Sequence, residues 1–159
     1  MKLLSLSALI IAVAALVIAL IAVAIGEEDS RTFDAVILAD GDEDEFESDL
    51  GERGDSPGDL FGRVRQLQRD QESSGTQLSL CTRTTGSEED STFACTTTLE
   101  FEEGSIVAEG IFDLALRDED QELAIVGGTG DYGGARGTVT VTSQGEDTYL
   151  LSVDATTED

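Results

Sequence analysis

Residues 122–142 read ELAIVGGTGDYGGARGTVTVT, and the fold turns on the residues after the glycines. Gly128, Gly130 and Gly133 satisfy G-x-G-x-x-G, the spacing of a dinucleotide-binding turn. That motif works by placing a helix N-terminus on a pyrophosphate directly after the glycines. Here Thr138, Thr140 and Thr142 alternate with Val139 and Val141, and β-branched residues at period two make a strand. The dinucleotide reading fails on that context. An apolar run, Leu123 to Val126, enters the same cluster, so the stretch is a glycine-rich connection between strands. Glycine there supplies positive φ and close backbone approach.

Outward from this connection the chain keeps the same character. Strand candidates fall at 32–39, 58–67, 76–84, 92–102, 105–116, 122–127, 134–143 and 148–155, eight in all. Gly110 interrupts the fifth, and Arg63 and Arg65 share one face of the second. Polar turns at 69–75, 86–90 and 117–121 separate them, and no helical periodicity of useful length occurs. Short strands at this spacing predict an all-β barrel or sandwich. Hairpin-length turns favour up-and-down order. The expectation is an eight-stranded antiparallel closed barrel over 32–157, with no exposed edges and an interior able to hold one small ligand.

The N-terminus is different. Residues 1–25 carry one charge, Lys2, and an unbroken apolar run of 18 residues from Ala8 to Ile25, predicting a hydrophobic helix ahead of the barrel. Ala22-Val23-Ala24 fits a signal-peptidase site, yet the run exceeds the usual ~7–15-residue signal core and is long enough to span a bilayer. A cleaved signal peptide and an N-terminal membrane anchor formed by residues 3–25 both remain open. Either places the rest of the chain, after a short acidic linker at 26–31, outside the cytoplasm, with membrane contact only through the N-terminal segment.

The chain has 34 acidic against 9 basic residues, a net charge of −25. Lys2 is the only lysine, and His, Asn and Trp are absent. No basic patch is available to neutralise phosphates, which excludes nucleic-acid binding. Acids spread over the whole chain resemble the surface of a protein from a high-salt environment, where screening shortens self-repulsion. Asp40, Asp42 and Asp44 occupy the first ligand positions of a calcium loop. However, Glu45 stands where that loop needs glycine and Gly51 where it needs a bidentate glutamate. A solvated acidic loop is the better reading, and no metal site is expected. Without histidine, serine–histidine triads and the usual zinc enzymes are excluded.

The segment GGTGDYGGARGTVTV resembles the signature of plant dirigent proteins and the related allene oxide cyclases. Gly58-Asp59-Leu60-Phe61 resembles the cyclases' G-D-L-V strand entry, Leu80-Cys81 their G-L-C strand, and residues 104–110 (GSIVAEG) their G-H-I-S-V-Q-G segment. The likeness covers roughly residues 58–153. It implies an eight-stranded barrel with a hydrophobic cavity that acts by enclosing a reactive small molecule, with no cofactor. It also implies self-association as a dimer or trimer. By the same resemblance Asp34 stands at the cyclases' first-strand glutamate, and Val36 replaces their asparagine. Cys81 matches their cavity cysteine. Asp131 and Arg136, with Tyr132 between them, occupy the turn where dirigent proteins keep an acid and a charge stabiliser.

Cys81 and Cys95 fall on consecutive strands of a hairpin in an oxidising compartment. Parity groups Cys81 with Gln77, Ser79 and Arg83, and Cys95 with Phe93 and Leu99. That pattern describes either a mixed interior wall or two opposite faces. A disulfide, two buried thiols and a reactive Cys81 all stay open. The candidate sites are therefore Asp34, Asp131, Tyr132 and Arg136 for catalysis and Cys81, Phe93 and Leu99 for ligand contact. The expected partner is a small hydrophobic molecule. Two functions remain: a non-catalytic binding barrel, or an isomerase/cyclase or dirigent-type protein steering cyclisation or coupling.

Overall fold

The computed structural model describes residues 29–37, 44–86, 90–145 and 148–157. The hydrophobic segment 1–25 and Asp40 and Asp42 of the calcium-like loop lie outside the described residues. Among the described residues there are nine strands: β1 (Asp29–Ile37), β2 (Glu45–Ser48), β3 (Leu60–Arg69), β4 (Glu72–Thr85), β5 (Thr92–Phe101), β6 (Gly104–Asp113), β7 (Gln121–Gly128), β8 (Arg136–Gly145) and β9 (Thr148–Thr157). Short 3-10 turns lie at Leu114–Leu116 and Gly130–Tyr132, and among the described residues no helix is long and apolar enough to cross a membrane.

From β2 to β9 each strand pairs antiparallel with the next, the up-and-down order that the short turns favour. β1 returns to pair with β9 from Asp29 opposite Thr157 to Ile37 opposite Tyr149. It meets β3 over two residue pairs only, Val36 with Gln68 and Ile37 with Leu67. The expectation of a sheet closed by hydrogen bonding is thus corrected: the β1–β3 seam is not a continuous ladder.

Alternation explains why the sheet curls. In β5 Phe93, Cys95, Thr97 and Leu99 face inward, and in β7 Gln121, Leu123 and Ile125 are buried between exposed neighbours. Leu67, Leu99, Ile106, Ile125, Val139 and Val153, from six different strands, join one buried cluster. Tyr132 and Ala135 of the glycine-rich connection belong to it too, with the Tyr132 ring 5.7 Å from that of Phe101. The connection therefore plugs one end of the interior. A Cβ at Gly130 would collide with the Glu103 carbonyl oxygen, and Gly130 has φ +59°, so only glycine lets this turn seat against the β5–β6 turn. The Thr129 N–H donates to Ser105 O at 2.8 Å and that of Asp131 to Glu103 O at 2.9 Å, fixing the contact.

Three departures from the expected strands have local causes. β2 lies inside the stretch read as acidic loop, and its one apolar residue, Phe46, covers Gly62 of β3, where no side chain would fit beneath the ring. β4 begins at Glu72, because the turn before it tightens to Asp70 and Gln71, both at positive φ. β6 stops at Asp113, whose carboxylate accepts from the Ala115 N–H at 2.9 Å and starts a 3-10 turn.

Cys81 stands directly opposite Cys95 in the β4–β5 ladder and is bonded to it, with Cα atoms 4.1 Å apart. Their strands share a mixed inward wall, which reconciles the polar companions of one with the apolar companions of the other. A cross-link spanning 14 residues removes chain entropy from the unfolded state, about 3 kcal/mol in the loop-closure model. Reduction is expected to lower the melting temperature by roughly 10 °C, read by circular dichroism with and without reductant. An unchanged melting curve would show the link to be energetically idle.

Candidate functional site

Above the packed end the interior opens into a cavity of about 450 Å³. Cross-strand register builds its polar wall in rungs. Arg65 pairs with Gln77, Arg63 with Ser79 and Phe61 with Cys81 across β3–β4. Ser79 then pairs with Thr97, Cys81 with Cys95 and Arg83 with Phe93 across β4–β5. Gln77 Nε2 donates to Ser79 Oγ at 2.9 Å, and the Ser79 and Thr97 hydroxyls are hydrogen-bonded to each other at 2.9 Å. The facing wall is apolar: Leu123, Val139, Val141 and Leu151, with Tyr149 beside them. Arg65, 8% exposed, lies over the Tyr149 ring at 5.5 Å. Glu47 and Asp55 stand at the mouth.

The mouth is built around Arg83 and Asp59, which are 4% and 1% exposed. Arg83 is held over Phe61 and Phe93 at 5.2 and 5.1 Å, and those two rings meet edge to face. Its Nη2 reaches Asp55 at 3.1 Å, Nη1 bonds Ser91 Oγ, and Nε lies 3.9 Å from Asp59 Oδ2. Asp59 accepts the N–H of Ser56 at 2.7 Å, Leu50 at 3.1 Å and Gly51 at 3.3 Å, drawing the preceding loop onto the barrel. The Ser56 N–H, ahead of the other donors, holds the Asp59 carboxyl below its ordinary value of 3.8 against the opposing effect of burial. An ionised carboxylate so fully engaged is a fastener rather than a general acid.

On the outer face, Phe46, Val64, Leu78 and Leu80 leave a shallow groove of about 520 Å³, lined also by Asp44 and the Arg63–Glu45 ion pair at 3.0 Å.

The structure distributes the sequence candidates unevenly. Cys81 and Phe93 line the cavity, and Cys81 is half of the disulfide rather than a free thiol. Leu99 is fully buried in the packed end and does not line the cavity. Asp34 stands opposite Ser152 in backbone register, between the positions of the inward-facing Leu151 and Val153. Asp131 is exposed, Tyr132 is buried in the plug, and Arg136 Nη1 donates to the carbonyls of Val126 at 2.8 Å and Ala135 at 2.7 Å. These last three sit close in one turn, yet none lines the cavity. What sequence reasoning passed over are Arg65, Gln77, Arg83 and Tyr149; the signal was the polar parity of β4, visible beside Cys81.

Arg136→Ala is expected to cost about 1 kcal/mol, an exposed guanidinium with two carbonyl partners, and to leave any ligand retained in the cavity unaffected. Loss of ligand at intact stability would return Arg136 to the site. Because the folded-state pKa of Asp59 is depressed, its contribution is present above about pH 3.8 and lost as pH falls through the folded value. The stability gap between the protein and Asp59→Asn should stay constant above pH 4 and shrink below it in urea titrations; a gap growing in acid would reverse that assignment.

Residues 38–153 match the family model described as allene oxide cyclase barrel like domain. No curated protein sequence matches the chain. Among solved structures, a pyocyanin demethylase is 25% identical, covers 77% of this chain and all of its own, and superposes with a TM-score of 0.63. The pterocarpan synthase dirigent protein GePTS1 is 16% identical, with 84% and 91% of the two chains covered and a TM-score of 0.66. The Diels-Alderase AbmU from Streptomyces koyangensis is 16% identical, with 92% and 78% covered and a TM-score of 0.59. At 16% identity the last two likenesses are of fold alone. The eight-strand meander from β2 to β9 with β1 returning to β9, the plugged end and the match across most of the sequence together make this chain a member of the allene oxide cyclase barrel-like domain family.

Proposed function

We propose that this protein is an exported barrel that holds one small, mainly apolar molecule in its interior. The observation that carries the reading is the cavity itself, about 450 Å³ above a packed floor. That lies within the ~300–1,000 Å³ of ordinary small-molecule pockets. The wall from β7 to β9 offers Leu123, Val139, Val141 and Leu151 to an apolar body. In this reading the β1–β3 seam closes the barrel around its ligand. Export rests on the sequence of residues 1–25.

Steering of a cyclisation or coupling is the second reading. The similar structures are named for pyocyanin demethylation, pterocarpan synthesis and Diels–Alder chemistry, all reactions of small organic molecules. Tyr149 brings a phenol side chain to the cavity wall, the kind of group that general acid–base steering would use. That Asp131, Tyr132 and Arg136 do not line the cavity favours binding over that catalysis.

Native mass spectrometry of the protein isolated from its own cells in high salt tests both binding and export. A retained molecule of a few hundred daltons is expected, and Val141→Trp, which fills the cavity, should expel it. The same spectrum should show either a chain starting at Ile25 or an intact chain from the membrane fraction. An empty barrel, or retention unchanged in Val141→Trp, would sink the binding reading, and recovery of the intact chain from cytosol would sink export.

A further inference from the structure

The disulfide is part of the cavity wall, and that placement gives it chemistry beyond stapling two strands. Leu80 and Thr96, each the chain neighbour of one cysteine, line the groove on the outer face. Strand alternation therefore turns Cys81 and Cys95 the other way, and both line the cavity. A cysteine side chain is one methylene and one sulfur, so what this pair adds to the wall is largely sulfur. The sheet stands between those sulfurs and the outer solvent, which leaves the mouth as the way in. Along their rung the order is Phe61, Cys81, Cys95, Gly110. Gly110 contributes no side chain, and Leu123 takes part of that space, its Cδ2 2.7 Å from where a Cβ would stand. Phe61 and Leu123 both line the cavity, so apolar groups flank the sulfurs at either end of the rung. Cys81 is half-buried and Cys95 only 9% exposed, which makes Cys81 the easier target.

Resting on the reading of this cavity as a small-molecule site, we propose that the Cys81–Cys95 disulfide exchanges with a small apolar thiol. The chain has no histidine to serve as a base, so the thiol ionises in solution before it enters. Its sulfur attacks Cys81 Sγ, because exchange is governed by access as well as by thiolate supply. A new S–S bond joins the thiol to Cys81 as the old one breaks. Cys95 Sγ leaves with the electron pair and takes up the proton the thiol had shed. One thiol and one disulfide go in, one thiol and one mixed disulfide come out, and no oxidant is consumed. The captured molecule is held covalently, with its apolar body between Phe61 and Leu123. A folded protein reductase is far too large for a cavity of about 450 Å³, so the site selects small thiols.

The test uses the full-length chain in lipid nanodiscs, with benzyl mercaptan as the thiol and benzyl methyl sulfide as its non-exchanging analogue. After quenching with N-ethylmaleimide, peptide mass spectra should show one benzylthio group on Cys81 and the maleimide label on Cys95. Saturating benzyl methyl sulfide should slow adduct formation about tenfold by filling the cavity, and Val141→Trp should slow it similarly. The sulfide arm needs no variant, so it decides the matter even where Val141→Trp fails to fold. Calorimetry with the sulfide, against empty nanodiscs, reads occupancy of the cavity separately. Sulfide binding without any thiol adduct would overturn the exchange site while leaving the cavity a ligand site. An adduct formed at the same rate with and without the sulfide would also overturn it. Labels in the reverse order would overturn attack at Cys81, and absence of both adduct and sulfide binding would remove the two readings together.

Discussion

The molecule depends on how a chain of net charge −25 admits charge to its interior at all. Among the described residues only Asp59, Arg65 and Arg83 are charged and buried. Asp59 and Arg83 solve the problem jointly. The carboxylate is saturated by backbone N–H groups, and the guanidinium is sandwiched by rings and neutralised by Asp55. Neither charge is left without compensation, which is what makes its burial tolerable. Reciprocal backbone bonds, Gly58 N–H to Arg83 O at 2.8 Å and Arg83 N–H to Asp59 O at 2.9 Å, tie the same residues into the sheet edge. The loop over the mouth is shaped by this knot, and the cavity begins where it ends.

Much of the architecture was legible because it is written in period two. The alternation of threonine and valine at 138–142 named a strand where a nucleotide motif was on offer, while the inward faces of β5 and β7 emerge only in the structure, as alternate burial. β2 was not legible: four residues with one aromatic among acids carry no period, and only Gly62 underneath Phe46 gives the strand its place. The seam was not legible either, since pairing of β1 with two partners is a property of curvature rather than of local sequence.

The candidate site was read less well, and the reason is physical. The glycine-rich turn carries the strongest family resemblance in the chain, so Asp131, Tyr132 and Arg136 drew functional attention. Their unusual backbone serves closure, seating one turn on another beneath a buried tyrosine. The cavity groups are ordinary polar residues on an ordinary strand. Arg65, Gln77 and Arg83 look like a solvated face until the register shows that the face they share points inward with the disulfide.

The pairing of β1 has a consequence in time rather than in space. Every other strand along the meander joins a neighbour made just before or just after it, so those hairpins close over short loops. β1 is synthesised ahead of all of them, yet its full-length partner is β9, and its first residue, Asp29, lies opposite Thr157. Its loop closure spans nearly the whole domain, the slowest kind of contact for a folding chain. Pairing of β1 along its whole length therefore has to wait for the final ten-residue strand, and until that strand joins, one side of the sheet stays unpaired.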